Sequence, residues 1–397
     1  MTKLSVSTFA AITALFPITF ALAGCTGTAS ESKATSVASA SDDFAITEHG
    51  TFEQPWAAAF IPGTQMLFVT ERAGTAKITD TSRQGSAPIS VTGLPTVDYG
   101  GQGGLGDVAF LKSESAATLS PRTIYLSWAE AGPNDTRGAV VGRGKLVCSA
   151  ADTCAVEQMN VIWRQPKVTG RGHYSHRLAI SPDEQHLFVA SGDRQKMQPA
   201  QDTTNNLGSV VKLTLDGSPA GDNPFAGKAG QAADIWSYGH RNILGLAFDS
   251  RGRLWDLEHG PKGGDELNQV TKGSNYGWPL VSDGDHYDGR AIPRHASTSA
   301  YTAPAISWTP VIAPGDFIFY SGKQFKSWRE QAIIAAMDPT ALVRVEIVGD
   351  SAREVERIPM DKRIREIAEG SDGSVWLLED GAGGRLLKLS AVSRSSQ

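Results

Sequence analysis

The chain has 397 residues, 40% of them hydrophobic, with 37 Lys and Arg against 42 Asp and Glu and a formal net charge of −5. That length exceeds the ~250–300 residues at which a single core stops growing, so two domains or a ring of repeated modules is required. The mild acidic balance, with cations scattered and no basic stripe, argues against a nucleic-acid partner.

The chain opens with Lys3 and an uncharged apolar run over residues 4–23 that ends in Leu22-Ala23-Gly24-Cys25. By length the run could span a bilayer. At an N-terminus, ahead of small residues and a cysteine, it reads instead as a signal peptide over residues 1–24, with the Cys25 thiol as lipid acceptor. The alternative is an uncleaved signal anchor with an incidental cysteine. Ser and Thr crowd residues 26–41, so 25–42 is predicted to be a flexible tether that buries nothing. The arrangement resembles bacterial lipoproteins. Thr26 after the cysteine, in place of Asp, favours the outer membrane on the periplasmic side, with the lipid anchor as the one membrane contact.

Residues 43–397 form the mature domain. Long amphipathic helices are absent, and the 42 glycines fall in turn signals spaced about ten residues apart, as an all-β domain requires. A polar turn followed by an apolar strand recurs: Ile61-Pro-Gly-Thr-Gln65 before Met66-Leu-Phe-Val69, Ser181-Pro-Asp-Glu-Gln185 before His186-Leu-Phe-Val189, Asp249-Ser-Arg-Gly252 before Arg253-Leu-Trp255, and Gly370-Ser-Asp-Gly373 before Ser374-Val-Trp-Leu377. The anchors Leu67, Leu187, Leu254 and Val375 lie 120, 67 and 121 positions apart, near two, one and two units of about sixty. Weaker copies at Thr123-Ile-Tyr-Leu126 and Ala332-Ile-Ile-Ala335 fill the gaps and bring the count to six. Radial repetition leaves no long sheet edge open, so a six-bladed β-propeller is predicted, with a pair of β-sandwiches as the alternative. Cys148 and Cys154 flank a polar turn between apolar pairs and are predicted to close a hairpin as a disulfide, which an oxidising compartment permits. The alternative is two free thiols.

Four loops carry unusual residues. Gly100-Gly-Gln102-Gly-Gly-Leu-Gly-Asp107 allows close approach of a ligand, but no Lys-Ser/Thr follows, so it is not a P-loop. Gly172-His173-Tyr-Ser-His176-Arg-Leu178 places a histidine pair at a strand entrance, where a catalytic role competes with a structural one. Trp236-Ser-Tyr-Gly-His-Arg241-Asn242 is followed by Glu258-His-Gly260-Pro261-Lys-Gly-Gly-Asp265-Glu266-Leu-Asn268 and Gly273-Ser-Asn-Tyr276-Gly-Trp-Pro279. Carbonyls and carboxylates so close together are hard oxygen donors that suit Ca²⁺, without EF-hand spacing. A polar loop capping a blade is the plain alternative. In Lys362-Arg363-Ile-Arg365-Glu366, strand alternation puts both arginines on one face, where they repel unless an anion lies between them; a solvated edge is the other reading.

Together these segments, from about Pro55 to Leu389, resemble the soluble glucose and aldose sugar dehydrogenases that use pyrroloquinoline quinone (PQQ). The resemblance implies a six-bladed propeller that oxidises the anomeric carbon of an aldose to the lactone, with PQQ and Ca²⁺ as cofactors and a quinone or cytochrome as electron acceptor. It implies His173 as the base, and Gln102, Arg241, Asn242, Arg363 and Arg365 as cofactor-binding residues. It implies carbonyls of Gly260 and Pro261 on the cofactor's calcium, and Asp265, Glu266 and Tyr276 on a second, structural calcium. Three positions depart from the family's glucose enzyme. Gly172 replaces an Asp before the base, Arg194 stands for a substrate-contacting glutamine, and Asp338 stands near a missing cofactor lysine. Other readings are a calcium-dependent propeller hydrolase or lactonase and a non-catalytic surface binding module.

Overall fold

The computed structural model describes residues 44–119, 121–150 and 153–392. The signal peptide at 1–24, the tether at 25–42 and the lipidation site Cys25 lie outside the described residues. Within them the chain forms 24 β-strands and five 3-10 helices of three to five residues. The strands are β1 (Phe44–Phe52), β2 (Pro55–Phe60), β3 (Met66–Glu71), β4 (Thr75–Asp80), β5 (Ile89–Thr92), β6 (Leu105–Phe110), β7 (Arg122–Ala131), β8 (Arg137–Ala150) and β9 (Thr153–Arg164). They continue as β10 (Ser175–Ile180), β11 (His186–Ser191), β12 (Ser209–Thr214), β13 (Ile235–Tyr238), β14 (Ile243–Phe248), β15 (Leu254–Glu258), β16 (Asp265–Val270) and β17 (Ile306–Trp308). The last are β18 (Pro314–Phe319), β19 (Ala332–Met337), β20 (Thr340–Val348), β21 (Ser351–Pro359), β22 (Ile364–Glu369), β23 (Val375–Glu379) and β24 (Gly384–Ala391).

Three sheets are plain antiparallel runs, β10 to β13, β14 to β17 and β18 to β21. A fourth takes β22, β23 and β24 and adds the N-terminal strand β1 at its edge, pairing Phe44 with Ala391 and Phe52 with Gly384. The remaining sheet has eight strands in the order β2-β3-β4-β5-β9-β8-β7-β6. Its two antiparallel halves pair as strands where Val91 and Thr92 run parallel to Cys154 and Ala155. The strands β2, β6, β10, β14, β18 and β22 lie against one another in that cyclic order, and β22 closes onto β2.

All six repeat anchors fall on the second strand of a set: Leu67 on β3, Leu126 on β7, Leu187 on β11, Leu254 on β15, Ile334 on β19 and Val375 on β23. Three of the turns leading into them are alike. Glu184, Gly252 and Gly373 each donate an N–H to the carbonyl three residues back, and each has positive φ. A glycine accepts that conformation without steric cost. The anchors are buried because neighbouring sheets stack face to face: Leu67 and Val69 pack on Trp376 and Leu378, and Leu187 and Val189 pack on Val141 and Trp163. Each buried Val or Leu contributes about 1.5–3 kcal/mol. Cys148 and Cys154 are register partners on β8 and β9 and form the predicted disulfide.

Candidate active site

Segments distant in sequence converge on one cavity of about 300 Å³, where Gln102, His173, Arg241, Asn242, Arg363 and Arg365 all reach its wall. These are the six base and cofactor residues read from the sequence, drawn from positions up to 263 residues apart, by subtraction of 102 from 365. No carboxylate belongs to the wall among the described residues.

Gln102 is aimed by its glycines. A Cβ on Gly101 would meet the Arg171 carbonyl oxygen at 2.5 Å, and one on Gly104 would meet the Arg72 carbonyl oxygen at 2.1 Å. The loop thus lies against neighbouring backbone that any larger residue would push away. The Gln102 N–H donates to the Arg171 carbonyl at 2.8 Å, and its side-chain Oε1 accepts from the His173 N–H at 2.6 Å.

His173 sits in a strained segment. His173, Ser175 and His176 have φ of 48°, 59° and 53°, a region that costs non-glycine residues of order 1–3 kcal/mol each and clusters at functional sites. Nδ1 of His173 lies 2.7 Å from Asp193 Oδ1. Burial lowers the His173 pKa below 6.5, with Asp193 partly offsetting it and the Arg241 charge adding to it. Burial works to raise Asp193, but the hydrogen bond with His173 and that from Trp278 hold it below the usual carboxylate range. An ionised carboxylate only accepts, so Nδ1 carries the hydrogen and Nε2 is left as the basic atom. Asp193 also accepts from Trp278 Nε1 at 2.8 Å and from the Gln195 N–H at 2.8 Å. His176 lies against Trp56, 4.9 Å between ring centroids, and burial ahead of the Arg177 charge takes its pKa to about 3.

Arg241 donates from Nη1 to the His259 carbonyl at 3.0 Å and lies over the Trp278 ring at 5.3 Å. Its buried Nε has no hydrogen-bond partner among the described residues. Arg363 and Arg365 share a wall, and the anion between them is a protein carboxylate: Asp380 accepts from Arg363 Nε at 3.1 Å and from Arg365 Nε at 2.9 Å. The pair therefore needs no ligand to relieve its repulsion.

The family model for glucose/sorbosone dehydrogenase matches residues 52–388. The chain belongs to this family. It is an oxidoreductase and a β-propeller. Aldose sugar dehydrogenase YliI of Escherichia coli K12 is 36% identical over 344 residues, covering 85% of this chain and 90% of that protein. Quinoprotein glucose dehydrogenase B of Acinetobacter calcoaceticus is 26% identical over 413 residues, covering 83% and 84%. The crystal structure of the soluble E. coli aldose sugar dehydrogenase in its apo-form superposes with a TM-score of 0.80 at 34% identity, covering 88% of this chain and 100% of that one. The PQQ-bound aldose sugar dehydrogenase of Streptomyces coelicolor, at 24% identity and a TM-score of 0.70, shares the fold.

The three departures from the glucose/sorbosone dehydrogenase pattern take a different form in space. Arg194 is no substrate contact. It is fully buried, donates to the carbonyls of Gly172, Arg137 and Gly170 and lies 3.8 Å over the Tyr174 ring. Its neighbour Gln195 covers Gly172, where a Cβ would meet the Gln195 Cδ at 2.5 Å. Asp338 is exposed, and Met337 faces the cavity in its stead, 3.5 Å from Arg363 Nη2.

Gly260 and Pro261 follow the cavity residue His259. Among the described residues no hydrogen bond ends on either carbonyl, and a Cβ on Gly260 would meet the Gly263 and Gly264 carbonyls at 2.3 and 2.1 Å. Two free carbonyls on a fixed backbone fit a hard cation. Of the set Asp265, Glu266 and Tyr276, Asp265 stands apart from the other two. Asp265 accepts N–H groups from Gly260, Ile312 and Ala313, so it shapes the loop, and burial raises its pKa to about 6. The Tyr276 hydroxyl donates to the Gln269 carbonyl and accepts from the Thr271 N–H, and its carbonyl lies 3.0 Å from His295 Nε2. Glu266 Oε1 and Asp283 Oδ1 stand 3.8 and 3.6 Å from His295 Nδ1. Burial opposes charge on His295, but Asp283 and Glu266 raise its pKa to about 9. Asp193, Met337, Asp380 and His295 were given no role from the sequence, and Trp278 was read only as part of its motif, with nothing there to mark Asp193 as its partner.

Proposed function

We propose that this chain is a PQQ-dependent aldose sugar dehydrogenase on a six-bladed β-propeller, exported as a lipoprotein held at the outer membrane through Cys25. The observation that carries the reading is the gathering of Gln102, His173, Arg241, Asn242, Arg363 and Arg365 on one carboxylate-free cavity. A flat tricarboxylate calls for cations and amides in such a cavity. When bound, PQQ supplies a two-electron acceptor for the hydride on the anomeric carbon, and Ca²⁺ at the Gly260 and Pro261 carbonyls supplies Lewis-acid polarisation.

The protein's own part is positional and protolytic. His173 takes the anomeric hydroxyl proton at Nε2 while Asp193 holds Nδ1–H, and the anomeric carbon is left as the lactone carbonyl. A positioned base of this kind contributes about 10²–10⁴-fold. Arg363, Arg365 and Arg241 bind the carboxylates, and Gln102 and Asn242 orient the bound groups. The electrons then pass to a quinone or a cytochrome. A hydrolase or lactonase would present carboxylates to its metal from the cavity wall, and among the described residues this cavity offers none.

The test is reconstitution. Apo-protein supplied with PQQ and Ca²⁺ together should oxidise aldoses with an artificial dye as acceptor, and either one alone should not suffice. No change in PQQ absorbance on mixing, or equal activity after EDTA and dialysis, overturns the assignment.

A further inference from the structure

Behind Arg241 and Asn242 lies a group that a hydrophobic core would not choose: His240, Asp256, Glu258 and Asn268, all nearly or fully buried. Removing a carboxylate from water costs several kcal/mol even after relaxation, so two of them beside one imidazole demand a reason. The hydrogen bonds supply it. Glu258 Oε1 is held 3.2 Å from His240 Nδ1 and 3.3 Å from Asn268 Nδ2. Asp256 braces the same two groups, with Oδ1 accepting from Asn268 Nδ2 at 3.2 Å and Oδ2 standing 3.3 Å from His240 Nδ1. Ser237 Oγ, 2.9 Å from Nε2, fixes the far side of the imidazole. With one oxygen so fixed, the other has a single direction. Glu258 Oε2 accepts the backbone N–H of Arg241 at 2.6 Å and of Asn242 at 3.2 Å.

We infer that Glu258 is a positioning residue, a carboxylate that clamps the Arg241–Asn242 backbone and so sets where both side chains enter the cavity. The clamp reaches the base as well. The Arg241 carbonyl accepts the Asp193 N–H at 2.9 Å, and the Asp193 carboxylate holds His173. Glu258 is not on the cavity wall among the described residues; it fixes the dipeptide from which both side chains reach that wall and the backbone to which the His173 partner is tied. Asp256 has the same burial and the same histidine contact, but no hydrogen bond to residue 241 or 242 among the described residues, which makes it the internal control.

The functional consequence rests on the PQQ reading, so the test has one arm that does not. Glu258→Gln and Asp256→Asn are compared with wild type by amide hydrogen exchange of the apo-protein and by PQQ titration with Ca²⁺ present. Glu258→Gln should speed exchange at Arg241 and Asn242, and weaken PQQ, by about 10–100-fold, the worth of hydrogen bonds to a charged acceptor. At saturating PQQ its kcat should fall while KM for sugar holds. Asp256→Asn should lower thermal stability but leave exchange at those two amides and PQQ affinity as in wild type. Wild-type exchange in Glu258→Gln, or equal changes in both variants, overturns the clamp. If the exchange difference appears but wild type does not bind PQQ, the clamp stands and the cofactor assignment falls.

Discussion

Arg177 ties the centre of the ring together, and replacing it tests that statement quantitatively. From β10 its guanidinium donates to the Leu244 carbonyl at 2.6 Å, to the Gly315 carbonyl at 2.7 Å and to Glu366 Oε2 at 2.7 Å, so it touches β14, β18 and β22. It lies 4.2 Å over Trp56 of β2 and 3.5 Å from Asp107 of β6. Asp316 is 3.9 Å away. Arg177→Met keeps much of the volume but leaves three buried carboxylates with no cation. Breaking a buried pair in this way costs about 3–5 kcal/mol. Unfolding entropy near 2.1 cal/mol/K per residue, over about 350 residues, is about 0.7 kcal/mol/K, so Tm should fall by about 4–7 °C.

The pH dependence of that loss is the sharper test. Burial, ahead of the influence of neighbouring charges, raises Asp107 and Glu366 above ordinary carboxyl values and takes Asp316 to about 7. Without the guanidinium all three rise further. A raised carboxyl keeps a proton when folded that it gives up when unfolded, so its contribution is present near pH 4 and is lost as pH rises through its folded value. The penalty of Arg177→Met should therefore be smallest near pH 5 and grow through pH 8, read as Tm by calorimetry. Arg177→Met combined with Glu366→Met should recover part of the loss, since one unpaired charge goes with it. A loss below about 1 kcal/mol, far under the cost of an orphaned buried charge, or a penalty that shrinks as pH rises, refutes the reasoning.

Other outcomes follow from the cavity. His173→Ala should lower turnover about 10²–10⁴-fold at saturating PQQ and leave PQQ affinity nearly intact. Arg363→Ala should do the reverse, weakening PQQ first, and titration followed by turnover at saturation separates the two. Asp193→Asn removes the partner that raises His173, so kcat should drop and the acid limb of the rate profile should move to lower pH; a limb that moves upward contradicts the pairing. Cys25→Ser should release the protein from membranes with its circular dichroism unchanged, and continued partition into membranes sinks the anchor.

What the sequence made legible and what it hid differ by a physical criterion. The repeat was legible because a polar turn and the buried strand after it are contiguous, and each of the six anchors is a second strand. The meeting of Gln102, His173, Arg241, Arg363 and Arg365 in one cavity was anticipated through the short motifs that carry the family resemblance, not through periodicity. Single-residue phase in loops was not legible. Met337, the last residue of β19, faces the cavity while Asp338 beside it is exposed, and Arg194 turns inward while Gln195 covers Gly172. Left-handed backbone at Arg194 and Gln195, with φ of 54° and 60°, breaks the alternation that would otherwise place them.

The partners most thoroughly hidden are carboxylates. Asp193, Glu258 and Asp380 lie at or just beyond the end of a strand and Asp265 opens one, and each meets a partner through a loop or across a sheet. Asp380 was invisible behind the argument that two adjacent arginines need an anion, because that argument fixes the charge and not its source. Asp265 was read as a metal ligand because an acid near a Gly-Pro carbonyl pair has the right chemistry, yet its oxygens are spent on three backbone N–H groups. The cavity wall is cationic and amide-bearing, and these carboxylates stand one layer behind it. Asp193 and Asp380 hold cavity side chains and Glu258 and Asp265 the backbone of cavity-side loops, so a substitution there should change what the wall presents without changing any residue on it.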